Sequence, residues 1–233
     1  MREFQLTDTP ADIVKVYPKA SDFFKNAKVD FCCGGDQPLQ TILDKKKKPV
    51  DGQQLISSIN QSFQKWKEAG NKEVNWDEVS PSEVVNHVMQ HHHHYLNEEL
   101  TPLSQFVTKI YRVHGANHPH LEELYKFYHQ YKMEMEGHMI EEERDLFPLF
   151  EQYEKNPTEA LKNQILNLNE TMIQDHEFVG ELIQKMNEVT NNYTLPEGAC
   201  NSYRITYERL AELEHNTYQH IHLENNVLFK FVS

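Results

Sequence analysis

Beyond residue 80, apolar residues recur at alternating three- and four-residue steps, the repeat of a helix with one buried face. The first stripe is Met89, His93, Leu96, Leu100, Leu103 and Val107. The second is Leu121, Leu124, Tyr128, Tyr131, Met135, His138 and Glu142. The third is Leu168, Met172, His176, Val179, Ile183 and Met186, and the fourth is Leu213, Thr217, His220, Glu224, Val227 and Phe231. Breaks in the pattern fall where helices should start and stop. Ser80-Pro81-Ser82-Glu83 supplies an N-cap, a proline in the first turn and a capping-box glutamate. Gly115 can end the first helix and Pro119 open the second, which Pro148 is predicted to end or kink beside Leu146-Phe147. Asn156-Pro157-Thr158-Glu159 starts a third. Asn191-Asn192 and Pro196-Glu197-Gly198 mark the turn before a fourth, ending near Phe231. Four such helices with short connections predict an up-down four-helix bundle over 80–233.

The chain ahead of the bundle has a different texture. Pro10, Pro18 and Pro38 can each open a short helix, with Ile13, Val16, Tyr17 and then Phe23, Phe24, Ala27 as apolar faces. Leu55, Ile59 and Phe63 mark a further helix over about 50–64. Residues 1–62 thus read as a small helical domain and 63–79 as a polar linker. The basic run Lys45–Lys48 reads as a solvated helix end. The whole chain is expected to be all-α.

Composition narrows the partners. A net charge of -13 speaks against a nucleic-acid backbone as partner. No apolar run approaches the roughly 20 residues of a membrane span, and the N-terminus lacks the pattern of a signal peptide. The expectation is a cytoplasmic protein. Three cysteines, two of them adjacent, are no disulfide framework.

The polar members of the stripes carry the chemistry. His138 and Glu142 stand four residues apart, as do His220 and Glu224, and in both copies Leu-Phe follows at the eighth and ninth positions after the histidine. Residues four apart share a helix face, so each copy aims an imidazole and a carboxylate the same way. In antiparallel hairpins, residues equidistant from a turn lie at one depth. The midpoint of His93 and His138 falls beside Gly115, that of His138 and His176 on Pro157, and that of His176 and His220 on Gly198. All three are predicted turns, so the four histidines should meet in one layer, with Glu142 and Glu224 one turn away. Six such donors exceed one tetrahedral zinc and suit two carboxylate-bridged ions, iron before manganese. His92 competes with His93 as the first-helix donor, because it continues Val85 and Val88. Glu134 and Asp175, beside His138 and His176, are candidates for supporting the donors or lining an access path. His87, His114, His118, His120, His129 and His215 read as surface or turn residues, and His222 points away from the stripe. Glu141, Glu143 and Glu177 read as solvated charges, and Cys200 as structural. In Asp30-Phe31-Cys32-Cys33-Gly34-Gly35-Asp36, Cys32 and Cys33 form a candidate thiol site, open to a metal, to nitrosation or to a partner thiol.

These motifs resemble the RIC family, the di-iron "repair of iron centres" proteins also known as the ScdA/YtfE/DnrN type. The resemblance covers nearly the whole chain. Asp30-Phe31-Cys32-Cys33-Gly34-Gly35 is similar to the family's short cysteine domain. The two His-x-x-x-Glu segments, with Asp175-His176-Glu177 and His93 ahead of Glu99-Leu100, resemble its hemerythrin-like bundle. His92 stands where the family often has tyrosine, which leaves His92 and His93 both open, and Lys230 stands where proline is frequent. The resemblance implies an oxo- and carboxylate-bridged pair of iron ions with Glu142 and Glu224 as bridges, and a cytoplasmic homodimer. It further implies repair of iron–sulfur proteins damaged by nitric oxide or oxidants, by donation of iron. Reduction of nitric oxide or peroxide at the di-iron centre, or sensing of O2 or nitric oxide, would use the same donors.

Overall fold

A computed structural model describes residues 3–76 and 78–232. Met1, Arg2 and Ser233, at the ends of the two expected domains, and Asp77, within the expected linker, lie outside them. Every regular element among the described residues is helical. The chain divides into two compact units, Met1–Val79 with Ile221–Phe231, and Ser80–His220 with Val232–Ser233.

The first unit opens with α1 (Pro10–Val16), α2 (Ala20–Asn26), α3 (Leu39–Asp44) and α4 (Gly52–Glu68). Thr9 caps α1 by accepting from the Asp12 amide, and Pro10 occupies the first turn, where no N–H is needed. Asp51 caps α4 in the same way through the Gln54 amide. Helix α4 runs to Glu68, four residues past the end that its apolar spacing suggests, because Trp66 still packs on Phe63 and Tyr17. The core joins Ile13, Phe24, Leu39, Ile59 and Phe63, all of them buried. Asn60 ties the leading strand of chain to α4, accepting from the Phe4 amide and donating to the Phe4 carbonyl, both at 2.9 Å.

The second unit is built from four antiparallel rods. The first is α5 (Pro81–His87), a π-helical turn (Val88–His93) and α6 (His94–His114). The second is α7 (His120–Glu141), a π-helical turn (Glu142–Leu146) and α8 (Phe147–Lys155). The third is α9 (Glu159–Val189). The fourth is α10 (Asn201–Asn226), which belongs to this unit as far as His220 and to the first unit from Ile221 onward. The Ser80 capping box and the Thr158 cap form as their residue types dictate. Arg209 on α10 makes a two-pronged ion pair with Glu99 on α6, at 2.6 and 2.7 Å. Tyr131 on α7 bonds Thr217 on α10 at 2.5 Å, inside the core.

Three details depart from the regular pattern. Pro148 does not end the second rod. The π turn before it restarts the helix, which puts Pro148 in the first turn of α8, where its missing N–H goes unneeded. Met89 is 38% exposed instead of lining the core, since the other π turn rotates it outward while Val88 stays buried. Phe231 is 36% exposed, because the chain tightens into a 3-10 turn over Leu228–Phe231 and leaves the α-helical phase of its stripe.

Candidate metal centre

The four histidine stripes converge. His93, His138, His176 and His220 are all buried, as are Glu142 and Glu224. Their donor atoms form two groups, His93–Glu142–His220–Glu224 and His138–Glu142–His176–Glu224, each with every donor within 4.8 Å of the others. Both carboxylates belong to both groups. The groups differ only in which pair of imidazoles they contain.

The distances describe a knot of lone pairs. His93 Nε2 and His220 Nε2 lie 3.2 Å apart, and His176 Nε2 and His138 Nε2 3.1 Å apart. Glu142 Oε2 is 3.2 Å from both His93 Nε2 and His138 Nε2, and 3.6 Å from His220 Nε2. His176 Nε2 lies 3.9 Å from Glu142 Oε1. Burial by itself would push the Glu142 carboxyl up, but the surrounding imidazoles, His138 foremost, hold it well below the usual carboxylate range. A wholly buried carboxylate ringed by imidazole nitrogens is costly unless positive charge occupies the middle. The donor set fits metal cations on that ground: nitrogen and carboxylate oxygen, converging, with the same two carboxylates reaching both positions.

The first rod explains why neighbouring histidines are both inside. In the π turn the amide of His94 donates to the carbonyl of Met89, five residues back. Such a turn holds one residue more than an α-turn, and both His92 and His93 become buried. They do different things. His93 enters a donor group. His92 stacks on the His220 ring, with centroids 5.7 Å apart and planes 8° from parallel, and its Nδ1 meets Asn216 Oδ1 at 3.2 Å. The second π turn, closed by the Phe147 amide on the Glu142 carbonyl, starts at the other key residue.

Several supporting residues differ from the sequence expectations. Glu143 is no simple solvated charge. Its Oε1 accepts from His93 Nδ1 at 2.7 Å, which leaves the His93 Nε2 lone pair aimed inward. The signal for this lay in the π turn, which residue spacing does not reveal. Asp175 Oδ2 comes to 3.9 Å from His138 Nδ1, an ion-pair distance and too long for a hydrogen bond. Glu134 is half-buried on α7 and joins neither donor group. His222 does leave the donor stripe, yet it is buried, its Nδ1 3.2 Å from the Phe31 carbonyl, and burial lowers its pKa to about 4. His120 is half-buried at the turn end of the bundle, its Nε2 3.1 Å from Tyr203 Oη and 3.0 Å from Tyr207 Oη. Cys200 is exposed, with its Sγ 3.2 Å from His114 Nε2. Cys32 is buried and Cys33 exposed, and their sulfurs lie 3.6 Å apart.

Comparison with known proteins agrees with this geometry. Residues 84–232 match the family described as "Hemerythrin HHE cation binding domain", and residues 7–62 match ScdA_N, a "Domain of Unknown function (DUF542)". The "Iron-sulfur cluster repair protein ScdA" of Staphylococcus epidermidis is 35% identical over 226 residues, 97% of this chain and 98% of that protein. The protein of the same name from Staphylococcus haemolyticus is 35% identical over 219 residues, 94% of this chain and 95% of its own. The "Iron-sulfur cluster repair protein YtfE" of Escherichia coli O1:K1 is 30% identical over 214 residues, 91% of this chain and 90% of its own.

Proposed function

Because the chain belongs to the iron–sulfur cluster repair family that joins an ScdA-type N-terminal domain to a hemerythrin HHE cation-binding domain, we propose that it repairs damaged iron–sulfur clusters from a di-iron centre. His93 and His220 would hold one iron ion and His138 and His176 the other, with Glu142 and Glu224 within reach of both. When bound, the ions supply redox chemistry and ferrous iron that can be given up to a cluster. The single observation behind this reading is that two four-donor groups share both of their carboxylates.

The protein's own residues set the terms of storage and release. Two imidazoles and two shared carboxylates would give each ion four protein donors, fewer than the six positions iron usually fills, which would leave room for small ligands. Glu143 fixes the proton of His93 on Nδ1 and keeps Nε2 available. Phe147 covers one face of the His93 ring at 5.5 Å between centroids, and limits water there. The clients are iron–sulfur proteins whose clusters have been damaged by nitric oxide or oxidants. The working form is a cytoplasmic homodimer, for which sedimentation should give twice the chain mass.

Iron analysis should find about two ions per chain, set by the two donor groups. Iron-loaded protein should restore a nitric-oxide-damaged cluster enzyme faster than the same concentration of free ferrous iron. Equal rates would remove iron delivery from the reading and leave the centre as a site of gas chemistry.

A further inference from the structure

The turn between α2 and α3 is built around one carboxylate. Asp30 Oδ1 accepts from the amides of Cys32 and Cys33, at 2.9 and 3.0 Å, and Oδ2 accepts from the Gly34 amide at 2.8 Å. The glycines make room for this. A Cβ on Gly34 would sit 3.0 Å from Asp30 Oδ2, and one on Gly35 would sit 2.6 Å from the Phe31 Cα. On its other side the turn is tied to the C-terminal segment of the same unit. The Cys32 carbonyl accepts from Asn226 Nδ2 at 2.9 Å and Asn225 Nδ2 at 3.3 Å. Three amides, two glycines and two asparagines thus fix where the sulfurs of Cys32 and Cys33 stand.

Those sulfurs converge with the carboxylate. Cys32 Sγ is 3.5 Å from Asp30 Oδ1 and 3.6 Å from Cys33 Sγ, and the three side chains each offer a donor within 4.8 Å of the others. Two thiolates on one tetrahedral ion, with metal–sulfur bonds of about 2.3 Å, stand about 3.8 Å apart. A disulfide instead needs about 2.05 Å, and between adjacent residues it forces the intervening peptide into strain. The sulfurs stand near the chelating separation.

We propose that Asp30, Cys32 and Cys33 form a second metal site, distinct from the histidine–glutamate layer, for one thiophilic divalent cation such as ferrous iron or zinc. Three protein donors leave a fourth position open, and the exposed Cys33 marks the side from which that position is reached. A three-donor site exchanges its ion, whereas a closed four-donor site keeps it. A client thiolate or water takes the fourth place. Binding converts two thiols to thiolates, so each ion that enters releases two protons, and affinity rises with pH.

The test uses full-length protein with its iron complement bound, titrated with cobalt(II). One further equivalent should bind, with thiolate-to-cobalt charge-transfer absorption and release of about two protons per ion. The absorption should vanish in the Cys32→Ser/Cys33→Ser double variant and persist in Cys200→Ser. Asp30→Asn should weaken cobalt binding by about 10–100-fold. Competition with ferrous iron and with zinc then identifies which of the two displaces cobalt at the lower concentration. Absence of the charge-transfer band, or a band that survives the double variant, overturns the proposal. The iron content of each variant is measured alongside, so failure of this site is distinguished from failure of the di-iron reading.

Discussion

The donor layer of the bundle and the cysteine turn of the first unit both gather metal-binding side chains, by opposite means. In the layer, the six donors come from four rods, and helical register brings them together. His138 and Glu142 share a face because they are four apart, and the partner histidines meet them because the hairpin turns lie halfway between. In the cysteine turn, three donors lie within four consecutive residues, and the backbone is bent around Asp30 to aim them. The layer is fixed by tertiary packing and tolerates much local change. The turn is fixed by local hydrogen bonds, by the absence of two β-carbons and by the Asn225 and Asn226 side-chain amides on the Cys32 carbonyl. A perturbation confined to one set of contacts should therefore act mainly on that region.

The largest expected effect comes from Glu142→Ala, which removes an oxygen donor from both groups at once. Iron content should fall well below two ions per chain, as metal analysis would show, because both donor groups lose an oxygen donor. Glu224→Ala should do the same. Normal loading in either variant would contradict the shared-carboxylate arrangement. The cysteine turn should keep its hydrogen-exchange protection throughout.

Gly35→Ala is the converse. Its Cβ would meet the Phe31 backbone at 2.6–2.8 Å, so the turn must open, at a cost of about 2–3 kcal/mol. Amide exchange over residues 30–35 should accelerate while iron content stays at the parent value. A drop in iron would show that the two regions are coupled.

A subtler change sharpens the contrast within the layer. Glu143→Gln retains an acceptor for His93 Nδ1 but loses its charge. Iron affinity should fall about 10-fold, seen by competition with a chelator, with no loss of fold. The smallest effect belongs to His120, outside both regions. Burial, then the neighbouring His118, lowers its pKa, so below the unfolded value of about 6.5 the unfolded chain takes the proton more readily. Stability from neutral His120 is present above that pH and declines as the pH falls. Denaturation midpoints of the parent and His120→Gln should therefore converge on acidification.

The sequence carried the layer better than the turn, and the reason is physical. A helical repeat is a long-range ruler. Once Leu96, Leu124, Val179 and Leu213 define the buried faces, the phases of His93, His138, His176 and His220 follow. The ruler fails where the helix is not α. The π turns exposed Met89, buried His92 beside His93, carried the second rod past Pro148 and brought Glu143 onto His93. Phe231 left its stripe for the same kind of reason, in a 3-10 turn. The cysteine turn has no repeat to measure. Its spacing showed two thiols beside two glycines, but the carboxylate of Asp30 beneath them is set by backbone dihedrals that composition does not encode. Burial of His222 against the Phe31 carbonyl depends on a segment 191 residues away in the chain, beyond any local pattern.

The π turn at Val88–His93 also separates what holds the molecule together from what makes it useful. Deleting exposed Gln90 would let that stretch relax into an ordinary α-helix, whose hydrogen bonds are better made. Adjacent side chains would then fan apart by about 100°, and His92 and His93 could no longer both turn inward. Such a shortened chain should melt no lower than its parent, yet give up either the His93 donor or the His92 ring stacked on His220. The spare residue is a small irregularity that keeps two neighbouring imidazoles facing one layer.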